Sequence, residues 1–474
     1  MDNLITKVSA SNTCNVSTSA RRTQLASPPM RVFSHQRLGQ IPQLVRHAPH
    51  LMESISLVAR VLPFKVNDYV VNKLIDWTDV PNDPIFRLTF PQAQMLDAED
   101  LEQLAYCVRN EIGEQQLNAL IQRVRDGMNP HPAHQQLNAP SLDGQLLQGV
   151  QHKYAQTVLF FPSHGQTCHS YCTFCFRWPQ FIGDKSLKFA SNDGEQLHRY
   201  LARHPEVTDV LFTGGDPMVM TAAHLTRYLE PFLQPALSHV TTIRIGTKAL
   251  SYWPYRFVSD TDTPQLMALL RRLVDSGKNV ALMAHLNHWR ELTTPVAEEA
   301  VSALQQLGIV IRAQGPVLRH INDSASTWKR NWEQQVRLGI VPYYMFVERD
   351  TGPQDYFQVP LARALSIYNE AIESVSGLAK TARGPSMSAG PGKVEVSGTL
   401  DLQGQRYFLL KFIQARDTRW LGKPFLARYS ETACWLDQLQ PPQGQSEFFF
   451  EAQYRRFVEQ GAQQATQALV RGEA

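Results

Sequence analysis

From residue 157 onward the chain alternates two textures. Short apolar, β-rich runs fall at 157–161, 208–213, 241–246, 279–285, 308–312 and 341–347. Between and after them, at 194–204, 221–233, 263–276, 295–306, 325–338 and 360–375, apolar residues recur at helical spacing. Strands that alternate with helices of this length predict a parallel sheet with right-handed crossovers. Six such units are too few for a closed eight-stranded barrel. The expected fold class is therefore α/β, an open, partial (βα)6 barrel over residues 152–380.

The flanking regions read differently. Over 35–151 the pattern is helical. Leu101, Leu104, Ala105 and Val108 share one face, as do Leu117, Leu120, Ile121 and Val124, and prolines at 81, 84, 130 and 132 punctuate the joints. Residues 1–34 are rich in Ser, Thr and Asn and poor in acids, and are expected to form a disordered arm, with a transit peptide as the alternative. Over 381–474, Val394, Val396, Leu400, Tyr407 and Leu409 alternate as a β-hairpin turning at Asp401-Leu402-Gln403-Gly404. An α/β extension to the barrel is expected there.

In a parallel sheet the chemistry belongs at the C-terminal ends of the strands. All six predicted strands end in polar or glycine-rich segments. The first leads to Cys168-His-Ser-Tyr-Cys172-Thr-Phe-Cys175, and the second to Gly214-Gly215-Asp216-Pro217. The third ends at Gly246-Thr247-Lys248, the fourth at His285-Leu286-Asn287-His288, the fifth at Gln314 and the sixth at Glu348-Arg349-Asp350. One rim with six such ends is hard to explain by packing.

The cysteines sharpen the picture most. Only six occur in the chain, and three of them stand in a C-x3-C-x2-C spacing. Three thiolates on one loop suit three irons of a [4Fe–4S] cluster and leave the fourth iron open to a ligand. A structural zinc site takes four ligands, usually as two pairs, and Cys14, Cys107 and Cys434 are isolated. His164 or His169 is the available completion of a zinc set. A disulfide framework does not suit a chain of 474 residues without a secretory signal.

Bulk composition excludes rather than selects. With 46 Lys and Arg against 43 Asp and Glu, the net charge of +3 argues for neither a nucleic-acid partner nor a membrane surface. No apolar stretch reaches transmembrane length. An oxygen-sensitive cluster suits a reducing compartment, so a cytoplasmic location is expected.

The cysteine triad followed by Gly-Gly-Asp-Pro resembles the radical S-adenosylmethionine enzymes. Cys175-Phe176-Arg177, Ile243-Arg244-Ile245-Gly246-Thr247, His285-Leu286-Asn287-His288, Leu318-Arg319-His320-Ile321-Asn322-Asp323, Pro342-Tyr343-Tyr344 and Gly390-Pro391-Gly392-Lys393 narrow this to a resemblance to the lysine 2,3-aminomutase family over about 140–415. The resemblance implies a radical 1,2-amino shift from the α to the β carbon of an amino acid held as an imine on pyridoxal phosphate. Its implied cofactors are a [4Fe–4S] cluster, S-adenosylmethionine and pyridoxal phosphate. Implied partners are a small-molecule amino-acid substrate and a reductant such as flavodoxin or ferredoxin, and a homo-oligomer is expected.

Residue by residue, the resemblance makes Cys168, Cys172 and Cys175 the cluster ligands. Gly214, Gly215 and Asp216 approach the S-adenosylmethionine. Arg177 holds the substrate carboxylate, a task that suits a bidentate guanidinium. Lys393 carries the pyridoxal phosphate, with Lys153 and Gln314 in its pocket and His285 and Asn287 on the same rim. Four departures stand out. Thr157 replaces an arginine expected to grip the cofactor phosphate. The loop from Pro162 to Thr167 is longer than usual. The glycine run before Lys393 is reduced to Gly390-Pro391-Gly392. The two acids that hold the distal ammonium of lysine fall at Arg349 and Ser386.

An arginine pairs with a carboxylate, not an ammonium. The expected substrate is therefore a non-basic amino acid, with glutamate favoured, unless Glu348 rather than Arg349 turns inward. The late cysteines that hold an inter-subunit zinc in the lysine enzymes are reduced here to Cys434, so no such metal is expected. The alternative is a radical S-adenosylmethionine enzyme on the same scaffold that does without pyridoxal phosphate and modifies another small molecule or a protein residue. Thr157, Ser386 and the short glycine loop favour that alternative.

Overall fold

The computed structural model describes residues 28–129, 138–183 and 187–470. Its centre is one eleven-stranded sheet whose strands neighbour one another in sequence order. Numbered within this sheet, they are β1 Val150–Tyr154, β2 Thr157–Phe160, β3 Asp209–Phe212, β4 Thr242–Thr247, β5 Asn279–His285, β6 Val310–Val317, β7 Val341–Val347, β8 Arg383–Ser388, β9 Gly392–Leu402, β10 Gln405–Ala415 and β11 Pro424–Arg428. Strands β2 to β8 are parallel. β1 lies antiparallel on one side, and β9 to β11 continue antiparallel on the other.

Local sequence fixes the crossovers. The helices Gly194–Ala202, Ala222–Leu229, Pro295–Gln306 and Ala325–Arg337 open on Asp193, Thr221, Thr294 and Ser324, whose side chains accept a backbone N–H from the first turn. Each such cap is worth about 1 kcal/mol. Gly277 and Gly308, at φ +87° and +82°, turn the chain out of two helices into β5 and β6, a conformation in which other residues are strained. Val210 and Phe212, Ile243 and Ile245, Leu282 and Ala284, and Ile311 and Ala313 pack outward into one core with the helices. The intervening positions therefore face the barrel lumen.

The six predicted βα units are present, and the observed barrel is larger by one strand. β8 pairs parallel with β7, through Tyr344↔Arg383 and Phe346↔Ser386, and the sheet runs past residue 380 without a break. Pro385 and three small or polar residues gave β8 no apolar alternation to read. The C-terminal hairpin turns at Gln403 and Gly404, inside the predicted turn, but its strands are eleven residues each. A register shift between Val396 and Gly398 turns Leu400 to solvent.

Residues 1–27 of the expected arm lie outside the described residues, while Val32–Phe33 pairs with Val66–Asn67. The N-terminal helical region forms its own core, which also takes in Phe174, Trp178, Tyr252 and Trp253 from the barrel rim. Among the described residues no helix is long and apolar enough to cross a membrane.

Candidate active site

The cysteine loop leaves β2 at the C-terminal end of the barrel and is clamped by the N-terminal region. Tyr171 N donates to Lys65 O at 2.8 Å and Thr173 N to Leu88 O at 2.9 Å. The backbone N–H of Asn67, a wholly buried residue, donates to Ser170 Oγ at 3.0 Å. Its side-chain Nδ2 donates to His169 O and Tyr252 O, at 3.3 and 2.8 Å. Asn67 is a positioning residue the sequence reading missed. Its signal was the pair Asn67-Asp68 set between Val66 and the apolar Tyr69-Val70-Val71.

Cys168, Cys172 and Cys175 are half-buried and close enough to perturb one another. Burial first, then the neighbouring thiols, push Cys175 up to about 12, and Cys168 also rises. A metal centre reverses this, because a coordinated thiol is deprotonated outright. Among the described residues no three His, Cys, Asp or Glu side chains are gathered as ligands of a single metal ion. His169 lies 3.9 Å from Asp216 and His164 stacks on His224 at 4.1 Å, so among the described residues neither candidate zinc completion is gathered with the cysteines. The donor set fits a three-cysteine cluster better than zinc.

Gly214-Gly215 is required by close packing. A Cβ on Gly215 would lie 2.4 Å from Thr167 O, and one on Gly214, at φ +144°, would overlap the Gln166 side chain. Asp216 then ties three strand ends together. Its carboxylate accepts Met218 N at 2.9 Å, Thr247 Oγ1 at 2.6 Å and Lys248 N at 2.9 Å, while its own N–H donates to Thr167 O at 2.7 Å. Its side chain is committed to holding the loop. Behind it Lys248 Nζ forms a buried ion pair with Glu291 and donates to Asn287 Oδ1 and His285 O, both at 3.1 Å. Glu291 also accepts the N–H groups of Asn287 and His288 at 2.6 and 3.0 Å. Two polar atoms of this rim, His285 Nδ1 and Asn287 Nδ2, are buried without a partner. Burial and Lys248 lower His285 to about 3, so its ring is neutral, and it stacks on Phe174 of the cysteine loop at 5.8 Å.

Arg177 is buried. Its Nη2 donates to Gln166 Oε1 at 3.1 Å, its guanidinium lies 4.3 Å over the Phe161 ring, and burial lowers it to about 10. Both contacts lie on the segment between the end of β2 and Cys168.

Below the rim the lumen is cationic. Lys393 lies over the rings of Tyr344 and Phe346, at 4.0 and 5.2 Å. Burial, then Arg244 and Arg383, lower its amine to about 7. The register shift between Ala313 and Gln314 sets Gln314 opposite Tyr344, beside this lysine. Lys153, from β1, reaches across the barrel seam to donate to Ala389 O. Burial, then the charges of Arg416, Arg349 and Lys393, depress it strongly. Arg349 leans on Phe176 at 5.1 Å and its buried Nε has no partner, nor has the buried Ser386 Oγ. Glu348 is the more deeply buried neighbour, with its carboxyl held well above the usual range by desolvation, and its charge is felt at Cys175. The structure thus brings Lys153, Gln314, Arg349, Ser386 and Lys393 into one lumen. It adds Arg244 and Arg416, which the sequence reading left out, and Lys393 also feels the charge of Arg383, exposed at the start of β8. An arginine flanked by outward-facing isoleucines in Ile243-Arg244-Ile245 was the available signal for the first. Thr157 is buried at the lower end of β2.

A three-cysteine loop after the first parallel strand of an open barrel, with a Gly-Gly-Asp turn after the second, defines a radical S-adenosylmethionine enzyme. Within that class the chain belongs to the lysine 2,3-aminomutase family. A protein of Aquifex aeolicus named "Putative L-lysine 2,3-aminomutase" is 30% identical over 382 residues, 80% of this chain and 88% of that one. One of Treponema pallidum with the same name is 30% identical over 51% of this chain and 64% of its own. Among solved structures, Streptococcus suis SuiB bound to precursor peptide SuiA aligns over 58% of this chain at 12% identity and a TM-score of 0.34. No family model matches the chain.

Proposed function

We propose that the protein is a pyridoxal phosphate-dependent amino-acid 2,3-aminomutase whose substrate is a non-basic amino acid, with glutamate favoured. The observation that carries this reading is the lumen, where Lys153, Lys393, Arg349 and Arg416 crowd together. Like charges gathered in a low-dielectric space repel one another, and an anionic ligand relieves that cost. Pyridoxal phosphate and a dicarboxylic amino acid both bring such anions.

When bound, the [4Fe–4S] cluster and S-adenosylmethionine supply the one-electron chemistry, and pyridoxal phosphate supplies the ring that carries the amino group. The chain's own residues hold the parts in place. Cys168, Cys172 and Cys175 take the cluster, and a one-electron reductant of the flavodoxin or ferredoxin type serves it. Gly214 and Gly215 bring the second strand end against the cysteine loop. The neighbouring His285 and Asn287 side chains, buried on this rim, turn their polar atoms to a polar group of S-adenosylmethionine. Lys393, with an amine near neutrality, is a nucleophile for an aldehyde. Arg177 takes the substrate α-carboxylate. Arg349, not Glu348, is the charge felt at Lys153, which supports an acidic rather than a basic side chain on the substrate.

The test is anaerobic reconstitution with iron, sulfide and pyridoxal phosphate, followed by borohydride and mapping of the pyridoxyl group by mass spectrometry beside a Lys393→Ala control. Label on Lys393, with glutamate turned over faster than lysine, is the expected result. Faster turnover of lysine removes the acidic-substrate reading. No label, with S-adenosylmethionine still cleaved, favours the pyridoxal-free alternative, for which the uncharged Thr157 and Ser386 speak.

A further inference from the structure

Lys153 and Arg416 come from opposite sides of the barrel seam and meet at one backbone elbow. Lys153 donates to the carbonyl of Ala389. Arg416 Nε donates to the next carbonyl, Gly390 O, at 2.9 Å, and its backbone N–H to Pro391 O at 3.1 Å. Its Nη2 is braced by Asn138 Oδ1. The elbow leads directly into Lys393, which pairs with Gln414, two residues before Arg416. Two cations, a nucleophilic lysine and the unpartnered Nε of Arg349 therefore share one side of the lumen. The charged groups felt by Lys153 are Arg416, Arg349 and Lys393, all positive. Tyr154, next along β1, feels the same two arginines.

That arrangement answers the loss at Thr157. A hydroxyl there brings no charge, although Thr157 pairs with Tyr154, the neighbour of Lys153 on β1. On the pyridoxal ring the aldehyde and the phosphate-bearing arm sit on adjacent carbons, so the lysine that takes one must neighbour the groups that grip the other. Arg416 meets that requirement from a neighbouring strand, with a guanidinium suited to a phosphate.

We propose that Arg416 supplies the charge that Thr157 lacks and that Lys153 and Arg416, anchored on consecutive carbonyls, form the seat of the cofactor phosphate. This rests on the pyridoxal phosphate reading above. Arg416 is thereby a cofactor-binding residue, and the short Gly390-Pro391-Gly392 run is the hinge it holds in place.

The test compares two aldehydes on the cluster-reconstituted full chain: pyridoxal phosphate and pyridoxal, which lacks the phosphate. Binding is read as borohydride-fixed label on Lys393 against aldehyde concentration. In the wild type, inorganic phosphate is expected to compete with pyridoxal phosphate. Arg416→Gln is expected to weaken pyridoxal phosphate by at least about tenfold, the loss of one charge-assisted hydrogen bond. It should leave pyridoxal unchanged and remove the competition by phosphate, and Arg416→Lys should restore part of the preference. Equal weakening of both aldehydes would show that Arg416 only braces the elbow, and overturns the proposal. So does an unchanged preference for the phosphorylated aldehyde. Absence of label from either aldehyde in the wild type is a different failure, that of the pyridoxal phosphate reading itself.

Discussion

The rim behind the cysteine loop and the lumen beneath it are built from similar residues in opposite ways. Behind the loop each charge meets its complement: Lys248 with Glu291, and Asp216 with three donors at once. In the lumen Lys153, Arg349, Lys393 and Arg416 are set against one another, with two acids, Asp350 and Glu348, beside Arg349. The charges of the first arrangement are balanced without a ligand and fix geometry. The second stores repulsion that an anion removes, and so marks where chemistry is received rather than where the scaffold is held. Buried charge alone does not separate the two regions. Whether the partner is inside the chain does.

The largest effect is expected at the loop the rim supports. Cys172→Ala leaves two of three cluster ligands and should take iron content and S-adenosylmethionine cleavage to background, measured after anaerobic reconstitution. Retention of most of the iron would mean that the loop is not the cluster site. Next comes the buttress. Glu291 is wholly buried, so Glu291→Ala strands Lys248 without a counter-ion and should cost about 3–5 kcal/mol of unfolding free energy in a denaturant titration. A loss under about 1 kcal/mol would show that the pair is not the complete unit described.

In the lumen the same kind of change should act on ligands and leave the fold nearly intact. Arg349→Gln is expected to lower kcat/KM for glutamate by about ten- to a hundredfold, the worth of one charge-assisted contact. The melting temperature should move little, because relief of the repulsion with Lys153 offsets the lost attraction to Asp350 and Glu348. Improved use of lysine by Arg349→Glu would sharpen the contrast. An Arg349→Gln enzyme that melts many degrees lower while keeping its substrate preference would place Arg349 with the scaffold instead.

What the sequence disclosed follows the same division. The parallel strands, their helices and the three cysteines were legible because they obey local rules: apolar period, helix caps and the spacing of a single loop. The cationic seat was less so. Lys153 and Lys393 entered through resemblance, but Arg416 became visible only when β10 was laid beside β9, 23 residues of chain after Lys393 and across the seam from Lys153. Asp216 shows the converse. Its motif was plain, and the structure shows its side chain bound up with Met218, Thr247 and Lys248. β8 was missed because Arg383-Gly-Pro-Ser-Met-Ser has no alternation, its place being set by pairing to β7.

The smallest expected effect tests the electrostatics of the lumen most directly. Lys393 is lowered to about 7 by burial and by Arg244 and Arg383. A lowered amine is protonated below that value and a free nucleophile above it. Fixation of pyridoxal on Lys393 should therefore fall as pH drops through about 7, by about tenfold for each further unit, and level off above it. Pyridoxal without phosphate is the right probe, since its own charge does not add to the change in the lumen. Arg383→Gln removes one repelling cation, so it should raise the midpoint, and labelling at neutral pH should drop while labelling at high pH stays the same. Arg244 is paired with Asp209 at 2.8 Å, so its removal also frees an acid and should raise the midpoint further. If neither substitution moves the midpoint, desolvation alone sets the reactivity of Lys393, and the lumen differs from the rim by its dryness rather than by its unbalanced charge.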